Sequence, residues 1–134
     1  MAELSLRADY SHLSRIRRFV GEVGEELGIP ERELYELELA VDEACANIIE
    51  HGYNGTGGKI EIQIQAMNGG VQVLIRDWGK PFDPESIPEP DVSAPLEERP
   101  VGGVGLYLMR KIMSQVHFAF DPQEGNTLTM TKRW

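Results

Sequence analysis

The chain has 134 residues, a length that suits one domain built around a single hydrophobic core. Its formal net charge of −9 argues against nonspecific nucleic-acid binding, which depends on Lys and Arg residues that neutralise phosphates. The sequence contains no apolar run of the roughly 18 residues that a membrane span needs, no signal-peptide pattern and only one cysteine. We therefore expect one cytoplasmic domain over residues 1–134, without a membrane or nucleic-acid partner.

The first third of the chain predicts a short edge strand, residues 4–8, and two amphipathic helices, residues 11–27 and 31–51. In both helices, apolar residues recur at spacings of three and four, which is typical of a helix with one buried face. The first stripe consists of Leu13, Ile16, Val20, Val23 and Leu27, and the second of Leu34, Leu37, Val41, Ala44 and Ile48. These stripes predict two helices that cover one core.

The middle of the chain predicts a β-hairpin followed by a long loop. Residues 60–65 alternate apolar and polar side chains, Val71, Val73 and Ile75 continue the period of two over residues 71–76, and residues 68–70 between them form a turn signal. The second strand ends at Asp77. Residues 81–100 then contain many prolines and show no periodicity. A loop of this length inside a compact domain is typical of a lid or binding loop, and its position between two candidate motifs favours a lid.

The last third predicts a glycine-started helix, residues 104–114, and two further strands that carry alternating apolar residues from Val116 to Met130. Tight turns connect successive strands, which favours antiparallel pairing. The predicted fold is therefore α+β: a two-layer α/β sandwich with a mixed, mainly antiparallel sheet and helices on one face.

Glu43 and Asn47 are the first candidate site residues. They lie four residues apart, so they are neighbours on one helix face, away from the apolar stripe. A solvated helix face explains them, and so does a site in which the Asn47 amide oxygen binds Mg²⁺ and the Glu43 carboxylate acts as a base. Cys45 between them is interpreted as a core residue, and the scattered histidines do not predict a zinc site.

Asp77 and the glycines that precede the third helix are the other candidates. A carboxylate at a strand end can accept the exocyclic amine of adenine, with Gly79 allowing close backbone approach, although Asp77 also suits an Asx turn. Free N–H groups at a glycine-rich helix start favour phosphate, although a flexible connection explains the same glycines. The glycine-rich start comprises Gly102, Gly103, Val104, Gly105 and Leu106.

Together these motifs resemble, in order and spacing, the Bergerat (GHKL) ATP-binding domain of histidine kinases and DNA gyrase. Residues 43–47 look like its N box, and residues 77–79, 102–105 and 125–127 look like its successive glycine boxes. The resemblance covers roughly residues 30–132. Within that superfamily, residues 43–51 and 102–106 are similar to the stand-alone anti-sigma factor kinases of bacteria.

The resemblance implies an ATP- and Mg²⁺-dependent serine/threonine protein kinase that phosphorylates an anti-anti-sigma (STAS) protein and sequesters a sigma factor in a partner-switching pathway. Glu43 would be the general base and Asn47 the Mg²⁺ ligand. Asp77 would bind adenine beside Gly79, with Thr127 supporting the same end, and residues 102–106 would bind phosphate. The lid would comprise about residues 81–103. The family also implies a homodimer.

Two other functions remain open. The chain is alternatively a catalytically silent regulatory module that binds ATP and a protein partner, because related proteins can keep the fold without catalysis. The other alternative is a relative of a two-component histidine kinase, but the sequence before Glu31 has no room for a phosphoacceptor-histidine hairpin.

Overall fold

The structure is a computed structural model that describes residues 1–55, 57–81 and 103–134, which form five strands and three α-helices. The strands are β1 (Ala2–Arg7), β2 (Lys59–Met67), β3 (Gly70–Asp77), β4 (Gln115–Asp121) and β5 (Gly125–Arg133). The helices are α1 (Leu13–Glu26), α2 (Glu31–Asn47) and α3 (Gly103–Ile112). Within these ranges, no helix combines the length and apolar character required to cross a membrane.

The five strands form one sheet in the order β1-β2-β3-β5-β4, and every pair in it is antiparallel. The predicted α+β fold with a mainly antiparallel sheet and a β1 edge strand is confirmed. The lid predicted for about residues 81–103 lies almost entirely outside the described residues. β3 is the central strand, so its last residue, Asp77, lies between β2 and β5 at one end of the sheet.

One face of the sheet and the apolar faces of the helices form a single core. On β3, Val71, Val73 and Ile75 are fully buried, and they alternate with more exposed residues as the period of two predicts. Most of both helical stripes is buried or partly buried, as expected. Leu27 differs: it is 39% exposed because α1 ends at Glu26, one residue before it.

The second helix is shorter than its sequence pattern indicates. α2 ends at Asn47, and a π-helical turn, Ile48–Gly52, continues the chain where residues up to 51 were expected to be α-helical. A π turn holds more residues than an α turn, so the buried position shifts by one residue. Ile49 is consequently fully buried, while Ile48 is only partly buried. The turn immediately follows the residues of the candidate site.

Candidate active site

Glu43 and Asn47 lie side by side on α2, and the first turn of α3 lies directly against them. A Cβ atom added to Gly105 would be 2.5 Å from Oε2 of Glu43 and 3.9 Å from Nδ2 of Asn47. Only a residue without a side chain allows this approach. Two motifs more than fifty residues apart in the chain therefore meet in the structure, as one site requires.

The first turn of α3 also supplies backbone donors. The first four N–H groups of an α-helix have no partner within the helix, and the helix dipole makes this end positive. In α3 these groups belong to Gly103, Val104, Gly105 and Leu106. Leu106 contributes its backbone only, because its side chain is a core residue with 3% exposure. Gly102 lies outside the described residues. This helix start can bind phosphate beside Glu43.

Asp77 is a buried carboxylate at the end of β3, on the sheet face that the helices cover. Its Oδ1 accepts hydrogen bonds from the backbone N–H of Gly79 and from Nδ2 of Asn126, both at 2.9 Å. Burial raises the pKa of Asp77, and these two hydrogen bonds oppose the increase. The bond from Gly79 is the Asx-turn contact that the sequence allowed. Because both bonds end on Oδ1, Oδ2 can serve a ligand.

Asn126 is a site residue that the sequence analysis quoted in a motif but assigned no role. Its Nδ2 donates to Asp77 Oδ1 and to the carbonyl oxygen of Gly79 at 3.0 Å. The amide orientation is fixed, because the reverse orientation would point Oδ1 at two other oxygen atoms. Oδ1 of Asn126 is buried without a hydrogen-bond partner among the described residues. A buried acceptor in this position can receive a donor from a bound base.

Thr127, which was expected to support Asp77, is not brought to it. Thr127 pairs with Arg76 on β3, whereas Asn126 pairs with Asp77. Successive side chains of a strand point to opposite faces, so Thr127 lies on the other face of the sheet. The register of β5 against β3 therefore places Asn126, and not Thr127, beside the carboxylate of Asp77.

The loop after Asp77 lies against the π turn that follows α2. A Cβ atom on Gly79 would be 2.5 Å from the carbonyl oxygen of Gly52, and the same oxygen accepts a 2.7 Å hydrogen bond from the N–H of Lys80. The close neighbour of the Gly79 backbone is therefore Gly52 of the same chain, and the predicted approach of adenine to Gly79 stays a prediction. This contact joins the Asp77 end of the site to the helix that carries Asn47.

Trp78 and Tyr53 complete the same corner. The Tyr53 hydroxyl accepts a 2.8 Å hydrogen bond from the N–H of Trp78 and donates a 2.7 Å bond to the carbonyl oxygen of Lys59. The Trp78 ring lies under two cations, with Arg76 at 5.4 Å and Lys59 at 5.8 Å from its centroid. These contacts hold the turn in which Asp77 presents its carboxylate.

The oxygen atoms of the site can hold a magnesium ion only if a bound phosphate compound supplies further oxygens. The part of the chain that the structure describes has no group of three or more His, Cys, Asp and Glu residues suited to a metal. The side-chain amide of Asn47 lies beside the helix start that can receive phosphates, with Nδ2 near Gly105, and its oxygen is the atom that would bind the ion. Mg²⁺ commonly binds one or two protein oxygens and completes its shell with water and substrate phosphates. The site fits that ion.

Cys45 takes no part in this chemistry. It is fully buried, as its interpretation as a core residue requires, and burial raises the pKa of its thiol to about 12. The neutral thiol is neither a nucleophile nor a metal ligand at ordinary pH.

The chain is similar to known proteins in sequence and in fold. Residues 6–132 match the model of the histidine kinase-like ATPase domain. The chain is 29% identical to the serine-protein kinase RsbW of Bacillus thuringiensis (strain Al Hakam) and of Bacillus cereus (strain 03BB102), covering 97% of this chain and 82% of each relative. A similar fold occurs in the crystal structure of the RsbU and RsbW domains of Rv1364c from Mycobacterium tuberculosis, with a TM-score of 0.66 and 20% identity. That alignment covers 99% of this chain and 32% of the other.

Proposed function

The chain belongs to the histidine kinase-like ATPase family, and from that membership we propose that it is an ATP-dependent serine/threonine protein kinase of the anti-sigma factor type. Its relatives are named serine-protein kinases, and they align over nearly the whole chain. The observation that carries the proposal is the contact between Glu43 and the first turn of α3. A potential base thereby lies beside the backbone donors that would hold the transferred phosphate.

The adenine of ATP would bind at Asp77. Oδ2 of Asp77 and Oδ1 of Asn126 are hydrogen-bond acceptors, and the exocyclic amine of adenine carries two donors. Guanine presents a carbonyl oxygen at the equivalent ring position, which these acceptors would repel. This pair therefore favours adenine over guanine. Oδ2 of Asp77, which receives neither of the hydrogen bonds to Asp77 from the described residues, and the buried amide oxygen of Asn126 support the assignment.

The triphosphate would extend from this corner toward α3. Backbone N–H groups of residues 103–106 would bind its oxygens, and Asn47 would hold the Mg²⁺ that neutralises their charge. Phosphoryl transfer depends mainly on such positioning and charge stabilisation. These backbone N–H groups and Asn47 therefore suffice, in this proposal, to position the triphosphate for transfer.

Glu43 would act on the protein substrate. Its carboxylate takes the proton from a serine or threonine hydroxyl as that oxygen attacks the γ-phosphorus of ATP. The bond from the γ-phosphorus to the oxygen that bridges it to the β-phosphorus would break, and ADP would be the leaving group. Glu43 is half-buried and lies next to the phosphate-binding turn, a position that supports this role.

The partners follow from the kind of kinase proposed. We propose that the phosphorylated substrate is an anti-anti-sigma (STAS) protein and that the unphosphorylated partner competes with a sigma factor for this chain. The kinase would act as a homodimer. These partners imply a cytoplasmic protein.

The proposal is tested by phosphate transfer from radiolabelled ATP to candidate STAS proteins from the same genome. We expect label on one partner serine or threonine, identified by mass spectrometry, and its loss with Glu43→Gln. Glu38→Gln is the matched control, because Glu38 is on the same helix but lies beside Gly21 of α1. ATP binding without transfer to any candidate would favour the silent regulatory module, and no ATP binding would overturn the site.

A further inference from the structure

Lys132 joins α2 and α3, the two helices that carry the candidate site, to the sheet at the ends of these helices that lie away from the site. Its side chain is 13% exposed, and its Nζ donates hydrogen bonds to Oε2 of Glu36 and to the carbonyl oxygen of Ile112. Glu36 is on α2, Ile112 is the last residue of α3, and Lys132 is on β5. One ammonium group therefore holds two helices and a strand together.

The position of Lys132 relative to the site follows from the helix spacing. Glu36 precedes Glu43 on α2 by seven residues, and Ile112 follows Gly105 on α3 by seven residues. Seven residues are about two turns of an α-helix. The two helices therefore meet at Glu43 and Gly105 at one end and are joined through Lys132 two turns away at the other, which is the geometry of an antiparallel pair. Lys132 therefore contacts both helices of that pair at the end opposite the candidate site.

The contacts at this end of α3 are strong ones. A cation at a helix C-terminus is stabilised by the negative end of the helix dipole, and a charge-assisted hydrogen bond is stronger than a neutral one. The hydrogen bond from Lys132 is the main reason that the pKa of Glu36 lies below its usual range. Beyond α3, the N–H of Ser114 donates to the carbonyl oxygen of Thr131 at 2.8 Å. The C-terminal end of α3 is therefore anchored to β5.

We infer that Lys132 is a positioning residue that sets the distance between Gly105 and Glu43 and thereby the fit of the triphosphate. This inference rests on the proposed nucleotide function. α3 moves largely as a rigid rod, so a displacement of its C-terminal end also displaces its N-terminal turn. Loss of the Lys132 hydrogen bonds at the C-terminal end therefore shifts the turn that would bind phosphate. The adenine end depends on different contacts, those among Asp77, Gly79 and Asn126, and keeps its geometry.

The test compares the affinities of Lys132→Met for ATP with Mg²⁺ and for adenosine, measured by calorimetry. Adenosine reports the adenine end alone, and ATP reports both ends. We expect ATP affinity to fall by about threefold to tenfold while adenosine affinity stays unchanged. Lys132→Arg, which keeps the charge and the donors, should restore most of the ATP affinity. Arg133→Met is the matched control, because Arg133 is exposed and points to the opposite sheet face.

A purely structural role predicts a different pattern. If Lys132→Met lowers the melting temperature but weakens ATP and adenosine equally, or neither, the inference is overturned. Glu36→Gln replaces Lys132→Met if the latter does not fold, and a selective loss of ATP affinity is again expected. Hydrogen exchange of the amides of residues 107–109, the first that can donate within α3, gives a readout without nucleotide: faster exchange than in Arg133→Met supports the inference, and equal exchange contradicts it. If the wild type binds neither ligand, the proposed function itself fails.

Discussion

The carboxylate of Asp77 and the amide of Asn126 face each other across two neighbouring strands, joined by a 2.9 Å hydrogen bond from Nδ2 to Oδ1. The same amide holds the carbonyl oxygen of Gly79 at 3.0 Å. One side chain thus fixes both the carboxylate and the turn that follows it. In the proposed function, this pair orients the acceptor that binds adenine.

Replacing Asn126 by Ala should weaken ATP binding by about threefold to tenfold, because it removes two hydrogen bonds that orient the Asp77 corner. Thr127→Val should leave binding unchanged, since Thr127 lies on the other face of the sheet. Fluorescence titration with a labelled ATP analogue measures both variants. A larger loss in Thr127→Val than in Asn126→Ala would contradict the assignment.

Gly105→Ala should reduce kinase activity far more than it reduces stability. The new Cβ would be 2.5 Å from Oε2 of Glu43, the far end of a flexible side chain, so Glu43 can move without disrupting the fold. A displaced base costs on the order of 10²-fold in rate, whereas an Ala in a helix is intrinsically favoured over Gly. Transfer rates and melting temperatures measured side by side separate the two effects.

Gly21→Ala is the matched control for that variant. Gly21 is also helical, and its added Cβ would approach a Glu carboxylate, Oε1 of Glu38, at 3.3 Å. It lies on α1, away from the site, so activity should be unchanged. Equal loss of activity in Gly21→Ala and Gly105→Ala would show that kinase activity does not depend specifically on the contact between Gly105 and Glu43.

Asp77→Asn should weaken ATP binding without lowering stability. Burial raises the pKa of Asp77 above the ordinary value of 3.8, so the folded state holds the proton more tightly than the unfolded state. The ionised carboxylate therefore costs stability above both pKa values, and this cost vanishes below 3.8. Asparagine removes the charge and keeps an acceptor, but its N–H₂ group would oppose the adenine amine.

The same pKa shift predicts a pH dependence of binding. ATP affinity of the wild type should fall as the pH drops toward the raised pKa of Asp77, because a protonated carboxyl loses an acceptor. Asp77→Asn should lack this component. Calorimetric titrations at several pH values measure it, and identical pH profiles for the two proteins would count against Asp77 as the adenine ligand.

Cys45 should be unreactive in the folded protein. Its thiol is buried and its pKa is raised to about 12, so almost no thiolate exists at pH 8. A colorimetric disulfide reagent should detect no thiol in the native protein and one per chain after unfolding in guanidinium. Rapid reaction in the native state would contradict the described packing of α2.

Local patterns predicted the elements and several of the residues that the structure brings together in the candidate site. Strand alternation leads directly to Asp77 at a strand end, and the spacing of Glu43 and Asn47 predicts two neighbours on one helix face. The short π turn after Asn47 was not predicted, because the apolar spacing continues through it as in an α-helix. The burial of Ile49 in place of Ile48 is the structural sign of this π turn.

Features that depend on distant parts of the chain were not predictable. The choice between Asn126 and Thr127 depends on the register of β5 against β3, and a shift of one residue exchanges the two sheet faces. The contact of Gly105 with Glu43 arises only when α3 packs on α2, and the bond from Lys132 to Glu36, 96 residues away, arises only when β5 packs against α2. The local spacing of residues in a sequence does not predict contacts between residues that are far apart in the chain.

The role of Glu43 is tested most directly by a single-turnover measurement of phosphate transfer from bound ATP to the STAS partner by Glu43→Gln. We expect this variant to bind ATP with wild-type affinity but to transfer phosphate at least about 10²-fold more slowly, the usual contribution of a general base. Glu38→Gln should match the wild type in both. A transfer rate of Glu43→Gln within about threefold of the wild-type rate would show that Glu43 is not the base.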